Sequence, residues 1–99
     1  MILIDIIQGN ENKAKEISNF LIENKYALQT HVDVNTLYDL NENKSTIRLY
    51  FITKALLFDS IEQEINTNFY SNDLIIYATP ISHISKELGE ILRKNIKAV

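Results

Sequence analysis

The sequence predicts an α+β protein: a four-stranded antiparallel sheet with two helices on one face and an extra helix at the C-terminus. Three observations predict it. Apolar residues recur at two-residue spacing in some segments and at three-to-four-residue spacing in others. These segments follow one another in the order β-α-β-β-α-β-α. No Pro-, Gly- or Ser-rich tract and no repeat interrupts them, so residues 1–99 read as a single domain.

Residues 1–7, MILIDII, are a short apolar, β-branched run closed by Gln8-Gly9-Asn10, which reads as a strand and a turn. Asn10 is a good N-cap with Glu11 in the first turn, and Ala14, Ile17, Phe20 and Leu21 follow at helical spacing, so helix one spans about 11–25. From Ala27 to Tyr38 the period becomes two, with Val32 and Val34 on one side and His31, Asp33 and Asn35 on the other. Asn41-Glu42-Asn43-Lys44 is a polar turn, and Thr46 to Ile52 is a third strand that makes a hairpin with the second.

The stretch YFITKALLFDSIEQEI, residues 50–65, runs from strand into helix with no Gly or Pro between. Thr53 is placed to cap a helix whose stripe is Leu57, Ile61 and Ile65, flanked by Phe58 and Phe69. Ser71-Asn72-Asp73 breaks that helix, Leu74 to Thr79 is a fourth strand, and Pro80 stops it. Ile84, Leu88, Ile91 and Leu92 mark a last helix over roughly 83–97. The first six elements are the ferredoxin-like split βαβ order, βαββαβ. Right-handed crossovers then put both main helices on one face, with strands one and three in the middle.

The other face is expected to be bare and greasy. Strand one carries Ile2, Ile4 and Ile6 on one side and Met1, Leu3 and Ile7 on the other, with Asp5 the only polar interruption. Strand three sets Ile47, Leu49 and Phe51 against Arg48, Tyr50 and Ile52. Strand four sets Leu74, Ile76 and Ala78 against Ile75, Tyr77 and Thr79. A sheet wet on one side alternates cleanly between apolar and polar, and these strands do not. Each aliphatic side chain buried is worth about 1.5–3 kcal/mol, so companion chains are expected to cover what the last helix leaves open.

Composition excludes several function classes. Without cysteine there is no thiolate nucleophile, disulfide or Cys-ligated metal. The net charge is −3 and arginine occurs only at Arg48 and Arg93, which argues against nucleic acid as a partner. No apolar run approaches a membrane span and no secretory leader stands at the start; the expectation is a soluble, cytoplasmic protein with no membrane partner. There is no GxSxG, HExxH or Gly-rich phosphate loop, so an enzyme is not indicated.

A few residues invite chemistry. His31 and Asp33 share one side of a strand and suit a divalent metal ion such as Cu(II), although a tight site needs a third donor, and a solvated strand edge is the simpler reading of the pair. His83 stands at the start of the last helix, as a surface histidine commonly does. Asp5 inside a central strand is either a group at a subunit cleft or the partner of Lys54 or Arg48. Tyr50 and Phe51 beside Arg48 suggest an RNA-stacking platform, but adjacent strand residues point to opposite faces.

The chain resembles the CutA family of divalent-ion tolerance proteins, related in fold to the PII-like signalling proteins. The second half of that family reads "KT…ALFD.L…I…HPYE.PEI.A.PI", and Thr53, Leu57-Phe58-Asp59, Ile61, Ile65, Ala78 and Pro80-Ile81 fall at matching spacings. The His, Pro and Tyr of the signature fall on Phe69, Tyr70 and Ser71, its later Pro and Glu on Leu74 and Ile75, and its Lys on Ile52. The resemblance implies a homotrimer in which the long hairpin reaches a neighbour and ligands, a metal ion or a small molecule, sit in clefts between subunits. Tyr38 on the hairpin, Tyr70 and Asp73 near the loop 69–73, and Asp5 are the cleft candidates it implies. A nucleotide-responsive PII-like regulator is the alternative, for which two arginines are few. A structural interaction module that has lost its site is a third reading.

Overall fold

The computed structural model describes residues 1–38 and 43–99, and the side chains of all of these except 35–38. The chain forms β1 (Ile2–Gln8), α1 (Glu11–Glu23), β2 (His31–Tyr38), β3 (Asn43–Thr53), a 3-10 turn (Ala55–Leu57), α2 (Phe58–Phe69), β4 (Ile75–Pro80) and α3 (Lys86–Asn95). The strands make one antiparallel sheet in the order β2-β3-β1-β4. The expected order and the expected central strands are both present. No helix of the described residues is long and apolar enough to cross a membrane.

The core lies between the sheet and the stripes of α1 and α2. Ile4 and Ile6 of β1 and Leu49 and Phe51 of β3 point at Ile17 and Leu21 of α1 and at Ile61 and Ile65 of α2, and all are buried. Asn10 caps α1 as expected, its side-chain oxygen accepting from the Lys13 amide at 2.9 Å. The helix closes at Glu23 because Lys25 turns left-handed, φ 61°, while the Tyr26 amide reaches back to the Leu21 carbonyl and the Lys25 amide to that of Ile22. That turn buries Tyr26 and Ala27 in the core, so β2 starts at His31 and not at Ala27.

The joint between β3 and α2 differs from expectation. Thr53 is the last residue of β3, fully buried, and its hydroxyl donates to the Tyr26 carbonyl at 2.7 Å. It therefore ties the α1 C-terminal turn to the sheet and does not cap α2, which follows a 3-10 turn with no side-chain cap. Asn43 and Lys44, expected in the hairpin turn, belong to β3 and pair with Tyr38 and Leu37. The remainder of that expected turn, Asn41 and Glu42, lies outside the described residues. α3 is shorter than expected and begins at its own cap, Ser85, whose hydroxyl accepts from the Leu88 amide at 3.2 Å. Its C-terminal end is pinned to the rest of the chain: Lys54 Nζ donates to the carbonyls of Ile96 and Lys97, and the Lys97 amide to that of Lys25.

Candidate functional site

The face of the sheet turned away from α1 and α2 is where the candidate residues meet. Cross-strand pairing sets His31 opposite Tyr50, Tyr50 opposite Asp5 and Asp5 opposite Tyr77, one continuous row over all four strands. The adjoining row on the same face is Asp33, Arg48, Ile7 and Ile75, and the row on the other side is Ile52, Leu3 and Thr79. Residues in register across a sheet share a face with their side chains about 4.5–5.5 Å apart, so these rows form one contiguous surface.

Its centre is charged and paired. Asp5 is 2 % exposed, and Arg48 Nε donates to its carboxylate. That hydrogen bond, working against partial burial of the guanidinium, holds Arg48 above its ordinary pKa, with smaller help from the charge of Asp5. Arg48 also lies over the Tyr50 ring, 4.2 Å from its centroid, and the His31 imidazole stacks on that ring at 4.9 Å and 17°. Of the two partners that the sequence offers Asp5, the structure selects Arg48, while Lys54 is engaged at the end of α3.

Asp33 faces Arg48 across the ladder and is exposed, with no ion pair to it among the described residues. His31 and Asp33 thus share the expected side of β2. Among the described residues no group of three or more His, Asp or Glu stands close enough to hold a metal ion. Tyr50 and Phe51 point to opposite faces as the pleat requires: Phe51 is core and Tyr50 is on the outer surface. His83 is exposed ahead of α3.

The remaining cleft candidates are elsewhere. Tyr70 is exposed, and its hydroxyl is 3.4 Å from Asn72 Oδ1. Asp73 accepts from the Ser71 hydroxyl at 2.6 Å and from the Gly9 amide at 3.0 Å, so it clasps the α2–β4 connection to the β1–α1 turn. Gly9 suits this close approach, since a Cβ there would come 2.9 Å from Asp73 Oδ2. Both candidates sit at the end of the sheet where the hairpin projects, and Tyr38 is on that arm, with its side chain outside the described residues.

The Ser71 hydroxyl is the largest influence lowering the Asp73 carboxyl below its ordinary value; slight burial opposes it, and the Gly9 amide adds to it. A carboxylate with a lowered folded-state pKa contributes stability above its ordinary value and loses it as pH falls through the folded one. Asp73→Ala is therefore expected to be less stable than wild type at pH 7. The gap should close in urea titrations carried below the usual carboxylate range, and a gap that persists undiminished there refutes this role.

Between this outer face and α3 lies a cavity of about 350 Å³, walled by Leu3, Tyr50 and Ile52 of the sheet and by Leu88, Ile91 and Leu92 of the helix. His31 and Gln29 complete its wall on the β2 side. α3 therefore covers part of the outer face, as expected, and leaves Ile75 and Tyr77 about half exposed.

Solved structures with this architecture are numerous. A point variant of CutA1 from Pyrococcus horikoshii superposes with a TM-score of 0.89, covering 99% of this chain and 100% of that one at 12% identity. The chain has the CutA fold. A divalent cation tolerance protein (CutA1) from Thermus thermophilus shares the fold at a TM-score of 0.81 and 19% identity, covering 98% of this chain and 100% of its own. CutA1 from Oryza sativa does so at 0.84 and 16%, with 99% and 94% covered. No family model matches the sequence, and no curated protein matches it. The CutA fold here is thus carried by the strand order and the core. The His31–Tyr50–Asp5 row, with Arg48 in the row beside it, escapes single-residue reading, because it exists only once β2, β3 and β1 are in register.

Proposed function

We propose that this protein is a non-enzymatic, CutA-like divalent-ion tolerance or ligand-binding protein that works as a homotrimer with its sites at subunit boundaries. The observation that carries the reading is the outer sheet face. Ile75 is 50% and Tyr77 46% exposed on it, beside half-buried Leu3, Ile7 and Ile52, and β4 next to them is an open edge. An apolar surface of this kind beside an unpaired strand favours another chain as its cover. The full-length likeness to CutA proteins at TM-scores of 0.81–0.89 supports the fold for which the sequence resemblance implies a homotrimer, and the divalent cation tolerance protein of Thermus thermophilus supplies the candidate role.

For a metal ion, His31 and Asp33 offer two donors from one strand, and the third would come from a neighbouring copy. Sedimentation equilibrium tests the assembly. A homotrimer sediments near 34.5 kDa, three times the 11.5 kDa chain, and a monomer at micromolar concentration removes the proposal. Cu(II) calorimetry tests the donors, with His31→Ala expected to lose the uptake; equal uptake in both proteins removes the metal assignment.

A further inference from the structure

We infer that the hollow between α2 and the segment after α3 is a binding site for a small polar zwitterion, an α-amino acid with a short polar side chain. Lys97, Glu64 and the Tyr26 hydroxyl hold it. No strand residue lines this hollow, which lies on the helical side of the molecule. It therefore stands apart from the outer sheet face and from any assembly through that face.

Tyr26 is the group that points to a ligand. It is 3% exposed and lines the hollow. Its hydroxyl makes no hydrogen bond among the described residues, yet no buried side-chain nitrogen or oxygen among them lacks a partner. The hydroxyl therefore reaches solvent, and this hollow is the opening that Tyr26 lines. The residue is held in place: its amide donates to the Leu21 carbonyl, its own carbonyl accepts from Thr53, and its ring lies 6.4 Å from that of Phe20. A fixed, nearly buried hydroxyl offers an occupant both a donor and an acceptor.

The wall is polar and carries one charge of each sign. Ser60, Gln63, Glu64 and Thr67 recur at three-to-four-residue spacing and form one stripe of α2, separate from the buried Ile61 and Ile65. Lys97 closes the other side, its ammonium 5.3 Å from the centre of the Tyr26 ring. The Lys97 backbone is pinned at both ends, its amide to the Lys25 carbonyl and its carbonyl to Lys54 Nζ. Among the described residues neither the Lys97 ammonium nor the Glu64 carboxylate is in an ion pair, with the other or elsewhere. A lone anion here would meet Glu64, and a lone cation would meet Lys97. A neutral polyol would leave both charges without a counterpart. A molecule with an ammonium and a carboxylate answers each through a charge-assisted hydrogen bond. The hydroxyls of Ser60 and Thr67 and the Gln63 amide suit a polar side chain, and a volume of about 440 Å³ is within the range for small-molecule sites, about 300–1,000 Å³.

The test titrates the full chain with L-asparagine and follows calorimetry and amide chemical shifts. Saturable binding with shifts at Tyr26, Glu64, Thr67 and Lys97 is expected. L-asparaginamide lacks the carboxylate and N-acetyl-L-asparagine lacks the ammonium; each should bind about tenfold more weakly, the loss of one hydrogen bond between charged groups. Lys97→Met should bind L-asparagine and L-asparaginamide alike. Lys94→Met, exposed and outside the hollow, should still tell them apart. Tyr26→Phe should bind about fivefold more weakly, one neutral hydrogen bond, with its urea midpoint unchanged because the hydroxyl has no partner in the protein to lose. No saturable binding, equal binding of the three ligands, D-glucose binding as well as L-asparagine, shifts confined to other residues, or a destabilised Tyr26→Phe chain each overturn the inference.

Discussion

Replacing Arg48 with alanine is expected to destabilise the fold by about 3 kcal/mol, near the lower end of the range for breaking a buried ion pair. Removal of the guanidinium leaves the Asp5 carboxylate 2 % exposed with no positive partner, in the middle of the central strand. The lower end applies because the Arg48 side chain is itself 35% exposed, which lets water reach part of the vacated space. The diagnostic comparison is the double variant Asp5→Leu with Arg48→Met. An apolar pair of similar volume removes both charges, and most of the lost stability should return. Urea midpoints at fixed protein concentration give the cycle, concentration being held constant because an assembly couples stability to mass action. A single variant as stable as wild type would show that the pair is already well solvated, and a double variant no better than the single would show that the loss does not come from an unpaired buried charge.

Phe51→Ala should cost about 3–5 kcal/mol, the range for an aromatic lost from a closed core. Phe51 heads the fully buried side chains by volume and contributes to the layer between sheet and helices. Tyr50 next to it, on the opposite pleat, carries the stacks with His31 and Arg48. Its truncation is expected to cost clearly less in stability while loosening the Arg48 guanidinium from the face. Thermal and urea unfolding of the two variants side by side reads this contrast. Equal losses would mean that the two faces of β3 are buried alike.

The fold was legible because the helices carry apolar stripes at three-to-four-residue spacing and the strands are short β-branched or alternating runs, even though β1 is apolar on both faces. The stripe Leu57, Ile61, Ile65 can only be a helix face, and the alternation Ile47, Leu49, Phe51 can only be a strand face. Boundaries were less legible where a tertiary partner overrides local chemistry. Thr53 has the right residue type for an N-cap, yet the Tyr26 carbonyl takes its hydroxyl. Ala27 looks like the start of a strand, yet a left-handed Lys25 folds it into the core together with Tyr26. The candidate site was legible in parts only. Asp5 stands out in an apolar strand, and Arg48 could be named as a partner. Their meeting with Tyr50 and His31 depends on the register of three strands distant in sequence. The cavity depends further on where α3 docks, which amphipathic spacing alone does not specify.

The strand order β2-β3-β1-β4 has a consequence for biosynthesis. β1 leaves the ribosome well before both neighbours it needs, which lie far downstream, β3 from Asn43 and β4 from Ile75. Until those strands emerge, MILIDII is an apolar nascent segment with no ladder to join. Such late, non-local pairing slows folding and prolongs exposure to aggregation, so translation through β4 must finish before the sheet can close.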